Sequence, residues 1–231
     1  MSLTLPEYHK INGIFKRDEK GKFIMGDFAR PEYNLLLDVP WLWTEKVDGT
    51  NVRVRWGQQE RVGIGPAGVI DGFIPYIEIG GRTDRANLHP DLIARLHELF
   101  PPEIADEFFG GAARELVFYG EGYGAGIQKG GGNYSSDKDF IVFDIRANGY
   151  WLERANVEGI CSQLGLRVVP QLGVFTLRDA LEGMDSGAAL LYNSFWPGVP
   201  TPEGWVGVPA VQLFNRFGER IITKLKTVDF Q

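Results

Sequence analysis

Alternating apolar and polar residues predict β-strands along much of this chain. Residues 51–56 show the pattern most clearly, because every second side chain is apolar. The apolar set is Val52, Val54 and Trp56, and the polar set is Asn51, Arg53 and Arg55. An apolar stretch at 41–43 precedes this strand, and Asp48-Gly49 between the two is a tight-turn signal. We therefore predict a hairpin over 41–64, with a second turn near 57–60.

The same patterns predict the other elements. Further strands are expected at 74–79, 116–120, 140–145, 150–152, 167–175, 205–208, 211–214 and 221–225, with a short hairpin at 17–22. Apolar residues at helical spacing predict helices in 90–109, 154–164 and 177–184, and Pro101-Pro102 divides the first of these into two. Strands dominate and do not alternate regularly with helices. This order predicts an α+β fold with antiparallel sheets, in one domain over 1–231.

Composition places the chain among folded proteins of a reducing compartment. Of its 231 residues, 44% are hydrophobic and 13% aromatic, which is ample for a packed core. The single cysteine, Cys161, excludes an internal disulfide and lies in a helical apolar pattern that predicts its burial. His9, His89 and His97 form no ligand spacing with it, so no structural zinc is expected. No apolar run is long enough to span a membrane and no secretory leader is visible, so we predict a soluble, cytoplasmic protein.

The formal net charge of −6 argues against binding of nucleic acid by overall positive charge. It leaves room for a local basic surface. Arg216, Arg220, Lys224 and Lys226 cluster near the end of the sequence against one acid, Glu219.

Lys46 is the strongest candidate for chemistry. It lies at a predicted strand end between Glu45 and Asp48, where a lysine can act as a nucleophile once deprotonated or bind a phosphate while charged. Further polar residues follow other strands, and each alone is equally compatible with a solvated surface. These are Asn51, Arg82, Glu121, Glu203, Lys224 and Lys226. The glycine-rich loop at 122–132 does not have the Walker phosphate-binding pattern.

The order of these residues resembles the covalent nucleotidyltransferase superfamily. Lys46-Val47-Asp48-Gly49 is similar to the Lys-x-Asp-Gly motif of polynucleotide ligases and mRNA capping enzymes. The segments 119–121, 139–144, 203–206 and 224–226 resemble the motifs that follow it, in the same order. Within the superfamily, the segments 49–51, 81–83 and 124–129 look most like the ATP-dependent RNA ligases of phage type.

The resemblance implies an antiparallel-sheet, ATP-grasp-like adenylation domain that uses ATP with Mg²⁺ or Mn²⁺. Lys46 would form a covalent lysyl-AMP intermediate, AMP would pass to a 5′-phosphate end, and a 3′-hydroxyl would displace it to seal the strand. The implied catalytic set is Lys46, Lys224 and Lys226. The implied ATP-binding set is Glu45, Asn51, Arg82, Glu121, Phe143, Glu203, Lys224 and Lys226.

Each residue of the implied site has an expected role. Lys224, Lys226 and Arg82 would balance the charge on the phosphates. Glu121 would accept from the ribose, and Glu203 would support the divalent cation. The ring of Phe143 would stack on adenine, and Glu45 would accept from the adenine amino group.

Two departures from the pattern leave alternatives open. Phage-type RNA ligases often have His where this chain has Asp48, so a DNA nick ligase is the nearest rival. The sequence ends five residues after Lys226, and we expect no C-terminal OB-fold or helical domain. RNA, as a nicked duplex or the ends of an RNA–DNA hybrid, would then be bound weakly or with a partner protein that supplies nucleic-acid binding. The rival from another class is a nucleotide- or RNA-end-binding module without sealing activity.

Overall fold

The computed structural model describes residues 4–65, 68–110, 114–187, 194–199 and 201–231. Contacts within the chain cluster into two compact units. The single domain expected over 1–231 stays a prediction. Unit 1 comprises Met1–Tyr8 and Gly49–Val168, and unit 2 comprises His9–Asp48 and Val169–Gln231. The chain thus passes from unit 2 to unit 1 directly after Asp48.

Unit 2 is built on a five-stranded sheet. Its strands are β1 (Asn12–Gly13), β4 (Pro40–Lys46), β10 (Gln171–Thr176), β11 (Gly204–Pro209) and β12 (Thr223–Lys226). They lie in the order β1-β12-β11-β4-β10. β1 is parallel to β12, and the other pairs are antiparallel. A separate hairpin pairs β2 (Phe15–Arg17) with β3 (Phe23–Phe28), as predicted for 17–22.

Two helices belong to unit 2. They are α1 (Pro31–Leu35) and α5 (Leu177–Asp185). α5 begins with a capping box, in which Thr176 and Asp179 satisfy each other's backbone N–H groups. Three buried tryptophans, Trp41, Trp43 and Trp205, pack in the core of this unit.

Unit 1 is built on an antiparallel sheet. Its strands are β5 (Thr50–Gly65), β6 (Gly68–Gly80), β7 (Arg114–Tyr123), β8 (Asp139–Ala147) and β9 (Tyr150–Trp151). They lie in the order β6-β5-β7-β8-β9. The helices are α2 (Pro90–Leu99), α3 (Ala105–Phe109) and α4 (Arg154–Leu164), with short 3₁₀ turns at Pro102–Ile104 and Gly131–Asn133. The break at Pro101-Pro102 separates α2 from α3, as predicted.

The alternation predicted for 51–56 is confirmed. Val52, Val54 and Trp56 are fully buried in the core between the sheet and the helices of unit 1, and Cys161 lies in the same core. The side chain of Arg53 extends from the opposite face of β5 and is nevertheless fully buried. That face is therefore covered as well.

The hairpin predicted over 41–64 is wrong. β4 pairs with β10 and β11 in unit 2, while β5 pairs with β6 and β7 in unit 1. The turn signal at Asp48-Gly49 marks the passage of the chain from one sheet to the other, because a local turn does not choose the partner of a strand. The second turn, predicted near 57–60, is also wrong, since β5 continues through Gly65.

The segment predicted as a strand at 211–214 forms only a single bridge, between Phe214 and Arg220. The last strand begins at Thr223, two residues later than predicted, and a 3₁₀ turn at Thr227–Phe230 follows it. Among the described helices, none is long and apolar enough to cross a membrane.

Candidate active site

Strand register in unit 2 brings Lys46 beside Lys226, although the two residues are far apart in the sequence. Gly204 of β11 is the register partner of Lys46 on one side and of Lys226 on the other. Residues paired in an antiparallel ladder point to the same face of the sheet. Lys224, two residues before Lys226 and paired with Val206, also points to this face. The predicted catalytic lysines 46, 224 and 226 are thus brought together on one face.

Glu203 joins two of these lysines. Lys46 Nζ donates to Glu203 Oε2 over 2.5 Å, and Lys226 Nζ donates to Glu203 Oε1 over 2.7 Å. The carboxylate raises the pKa of Lys226, mainly through this hydrogen bond. The backbone fixes the position of Glu203, because the N–H of Thr227 donates to the Glu203 carbonyl and the Thr227 hydroxyl donates to that of Pro202.

Asp48 interacts with the same charges. Partial burial raises the pKa of its carboxyl, the negative charge of Glu203 raises it further, and Lys46 and Lys226 oppose these effects. Two carboxylates and at least two ammonium groups therefore act on one another here. The sequence pattern assigns Asp48 only to the lysine motif, because its coupling to Glu203 depends on the fold of β11 against β4.

The carboxylates of Glu203 and Asp48 fit a site for Mg²⁺ or Mn²⁺ that is completed by a ligand. Mg²⁺ in phosphate-transfer sites is usually bound by one or two carboxylates together with substrate phosphates and water. In the described part of the chain, no group of three or more His, Cys, Asp or Glu side chains is placed to hold a metal ion. Two carboxylates are thus the donors that this segment of the chain would offer to a metal shared with a phosphate.

Glu45 is buried and bonded to the 194–196 segment. Strand alternation sends its side chain to the face opposite Lys46, where it is 2% exposed. One carboxylate oxygen accepts from Ser194 Oγ at 2.6 Å and the other accepts from the Phe195 N–H at 3.0 Å. Burial raises the pKa of the carboxyl, and these two hydrogen bonds lower it by less. Its described contacts hold the 194–196 segment against β4, and the adenine contact stays a prediction.

In unit 1, Asn51 and Glu121 are register partners on β5 and β7. The Oδ1 of Asn51 is buried and has no hydrogen-bond partner among the described residues, so it is an acceptor available to a ligand. Gly49, two residues earlier, lies against β7. A Cβ there would come 2.3 Å from the carbonyl oxygen of Gly122 and 2.8 Å from Glu121 Cγ. The glycine of the lysine motif therefore allows the start of β5 to approach β7 closely.

Arg53 supports the segment that carries Arg82. Its guanidinium is fully buried and donates to the carbonyls of Gly81 and Leu5, each at 2.6 Å, and to Asp84 Oδ1 at 2.9 Å. Arg82 itself is exposed between two of these anchored residues. The sequence pattern assigned Arg53 to a polar strand face. An arginine inside an alternating strand was the available signal, but its partners come from distant segments.

Phe143 lies at an irregular point of β8, where the register shifts between the pairs Tyr119–Asp144 and Gly120–Val142. Its ring is partly buried beside Tyr119 and meets the ring of Tyr8 edge-on, with centroids 5.0 Å apart. Tyr8 also donates to Asp144 Oδ2 at 2.8 Å. The predicted adenine contact of Phe143 stays a prediction, and in this structure the ring has an aromatic neighbour from the same unit.

Comparisons with known proteins agree with the motif order. A family model described as RNA ligase matches residues 39–225. A search of curated protein sequences gives no match.

Solved structures match over nearly the whole chain. A Naegleria gruberi RNA ligase variant with ATP and Mn is 18% identical with a TM-score of 0.57, over 96% of this chain and 61% of that one. The Naegleria gruberi RNA ligase with PPi is 19% identical with a TM-score of 0.57, over 95% of this chain and 61% of that one. An archaeal ATP-dependent RNA ligase is 17% identical with a TM-score of 0.56, over 97% of this chain and 49% of that one.

At these identities the likeness is one of fold, and it confirms the predicted α+β class with antiparallel sheets. The chain spans less than two thirds of the length of each of these proteins.

Proposed function

Since this chain belongs to the RNA ligase family, we propose that it is the adenylyltransferase part of an ATP-dependent RNA ligase of phage type. It attaches AMP to Lys46, transfers the AMP to the 5′-phosphate of an RNA end and seals that end to a 3′-hydroxyl. The observation that carries the proposal is the convergence of Lys46, Glu203 and Lys226, with both ammonium groups on one carboxylate.

The first step is the attack of Lys46 Nζ on the α-phosphorus of ATP. The N–P bond forms, the bond from the α-phosphorus to the bridging oxygen breaks, and pyrophosphate leaves with the electrons of that bond. The amine must be neutral to react. Glu203 Oε2, 2.5 Å from Nζ, is placed to receive its proton.

Other residues account for binding of the nucleotide. Lys224, Lys226 and Arg82 would neutralise phosphate charge, which builds up on the equatorial oxygens during transfer. In unit 1, the open acceptor of Asn51 and the neighbouring Glu121 suit the hydroxyl and amino groups of a nucleoside. The adenine would be bound by Phe143, through stacking, and by Glu45.

A divalent cation would supply positive charge that bridges the carboxylates and the phosphates. Glu203 and Asp48 are the residues of this chain that would hold it. The Naegleria gruberi enzyme was solved with ATP and Mn and also with PPi, which supports ATP, Mg²⁺ or Mn²⁺, and pyrophosphate as the reactants and product here.

The test is attachment of AMP to the protein. The full chain is incubated with ATP labelled on the α-phosphate and Mg²⁺, then run on a denaturing gel. We expect a labelled band in the wild type and in Lys20→Ala, a control at an exposed lysine, and none in Lys46→Ala. A band that persists in Lys46→Ala would refute Lys46 as the nucleophile, and no band in a nucleotide-free, folded wild type would refute the activity.

The same protein then identifies its acceptor. Nicked duplexes that carry RNA or DNA on the 3′-hydroxyl side are compared for joining, with the adenylylated strand supplied so that the first step is not limiting. We expect joining with RNA on that side. Equal or better joining of all-DNA nicks would favour the DNA ligase instead.

A further inference from the structure

The hairpin tip (residues 214–217) exposes aromatic and basic side chains between the last two strands of unit 2. Phe217 is 72% exposed and Phe214 is 49% exposed. Arg216, between them, is also exposed, and its Cζ lies 4.6 Å from the centroid of the Phe217 ring. Exposed rings of this size are unfavourable in water, so a cluster of them indicates a surface that contacts something else.

The backbone of this tip is held by hydrogen bonds. Asn215 Oδ1 accepts from the N–H groups of Phe217 and Glu219, both at 2.9 Å, and Asn215 N–H donates to the Glu219 carbonyl at 2.8 Å. Glu219 is in turn bound by Arg30 Nη2 at 2.8 Å. The rings are therefore held out by a formed turn and an ion pair, and their exposure does not come from a loose loop.

The charge near the tip is opposite to that of the whole chain. Residues 211–226 contain four basic residues and one acid, although the formal net charge of the protein is −6. Phosphate groups are attracted to such a local cluster. Arg216 covers one face of the Phe217 ring and leaves the other open, and base stacking on an open aromatic face beside an arginine is a common mode of binding to single strands.

We propose that the hairpin tip is an RNA-binding element, in which a base stacks on Phe217 and Arg216 binds a nearby phosphate. The proposal rests on the function proposed above, since it names how RNA is held beside the adenylylation lysines. Lys224 lies seven residues beyond Phe217, which is at most about 23 Å along an extended chain.

The experiment measures RNA affinity without ATP, by fluorescence anisotropy of a labelled single-stranded RNA that carries a 5′-phosphate. We expect Phe217→Ala to raise Kd about tenfold, because stacking on one base contributes on this scale. Phe217→Trp should bind at least as well as wild type. Arg216→Ala should lower the slope of log K against log salt concentration by about one. Tyr150→Ala is the matched control, since that ring is 77% exposed in unit 1 and should leave Kd unchanged.

The assay for attachment of AMP to the protein distinguishes the tip proposal from the proposed ligase function. All four variants should still form the AMP adduct, whereas Lys46→Ala should lose the adduct and keep its RNA affinity. Absence of the adduct in wild type would refute the proposed function and leave the anisotropy result valid.

The tip proposal is overturned by absence of RNA binding in wild type, by equal Kd values for Phe217→Ala and wild type, or by an equal loss of affinity in Tyr150→Ala. An effect of Phe217→Ala on self-association alone would identify the tip as a protein-docking surface, which also overturns it.

Discussion

Residues of opposite charge lie at short range in this site. Glu203 neutralises two lysine ammonium groups in the structure, and a phosphate of ATP would compete with it for them. A carboxylate in this position restrains Lys46 until a nucleotide and its cation take over that role. Asp48 adds a second carboxyl, whose pKa is raised first by burial and then by the negative charge of Glu203.

Glu45 is a carboxyl whose burial favours the neutral form, and a substitution can test this. Its pKa is raised, so the native state keeps the proton to higher pH than the unfolded chain does. Its contribution to stability is therefore complete below the unfolded pKa of about 4.3 and is lost as the pH rises through the higher folded pKa. Glu45→Gln is neutral at every pH and can still bond both Ser194 and Phe195.

We expect the free energy of unfolding of Glu45→Gln, relative to wild type, to increase as the pH rises above the unfolded pKa of about 4.3. Urea unfolding at several pH values measures this difference, and a pH-independent difference would contradict the assignment. Glu45→Ala should lower the free energy of unfolding by about 2–3 kcal/mol, because it leaves the Phe195 N–H without its acceptor.

At the scale of elements, the pairing of strands decides what the motif lysine faces. β4 lies between β10 and β11, so Glu203, just before β11, and the residues of β12 reach Lys46. The start of β5 approaches β7 closely, and this places Asn51 opposite Glu121. A glycine is required at that approach for steric reasons alone.

Gly49→Ala should disturb this approach. The added Cβ would overlap the carbonyl of Gly122, and backbone cannot move aside as a flexible side chain does. We expect a loss of about 2–4 kcal/mol in the free energy of unfolding and a large loss of nucleotide affinity.

Gly159→Ala in α4 is the control, since a Cβ there meets no atom within 4 Å and alanine is the better helix former. It should be neutral or stabilise by about 0.5–1 kcal/mol. Chemical denaturation and ATP titration of both variants test the pair. If the two variants had similar effects, the steric argument at Gly49 would be wrong.

At the scale of the whole molecule, charge is distributed unevenly. The net charge of −6 opposes RNA, and the basic residues near the C-terminal strands of unit 2 favour it. Binding should thus depend on few phosphate contacts. With the three side chains Arg216, Lys224 and Lys226 as the phosphate ligands, the slope of log K against log salt concentration should not exceed about 3 in magnitude. Anisotropy titrations over a range of salt concentrations measure it, and a much steeper slope would mean that a broader basic surface takes part.

Much of this protein is predictable from local sequence. The elements β2, β3, α2 to α5 and β11, the buried face of β5 and the break at Pro101-Pro102 follow from periodicity and from proline and glycine chemistry, which act over a few residues. The order of the motifs, from Lys46 to Lys226, is enough by itself to indicate an RNA ligase. These signals are carried by neighbouring residues or by their order along the chain, so a single sequence contains them.

Only the tertiary structure decided which segments meet. It separated β4 from β5, although a turn signal joins them, and it set Gly204 between Lys46 and Lys226. It also buried Glu45 on the opposite face of its strand and gave Arg53 partners at Leu5, Gly81 and Asp84. The physical reason is that strand pairing and burial depend on contacts between residues distant in sequence, and alternation along one strand says which side chains share a face but not what covers that face.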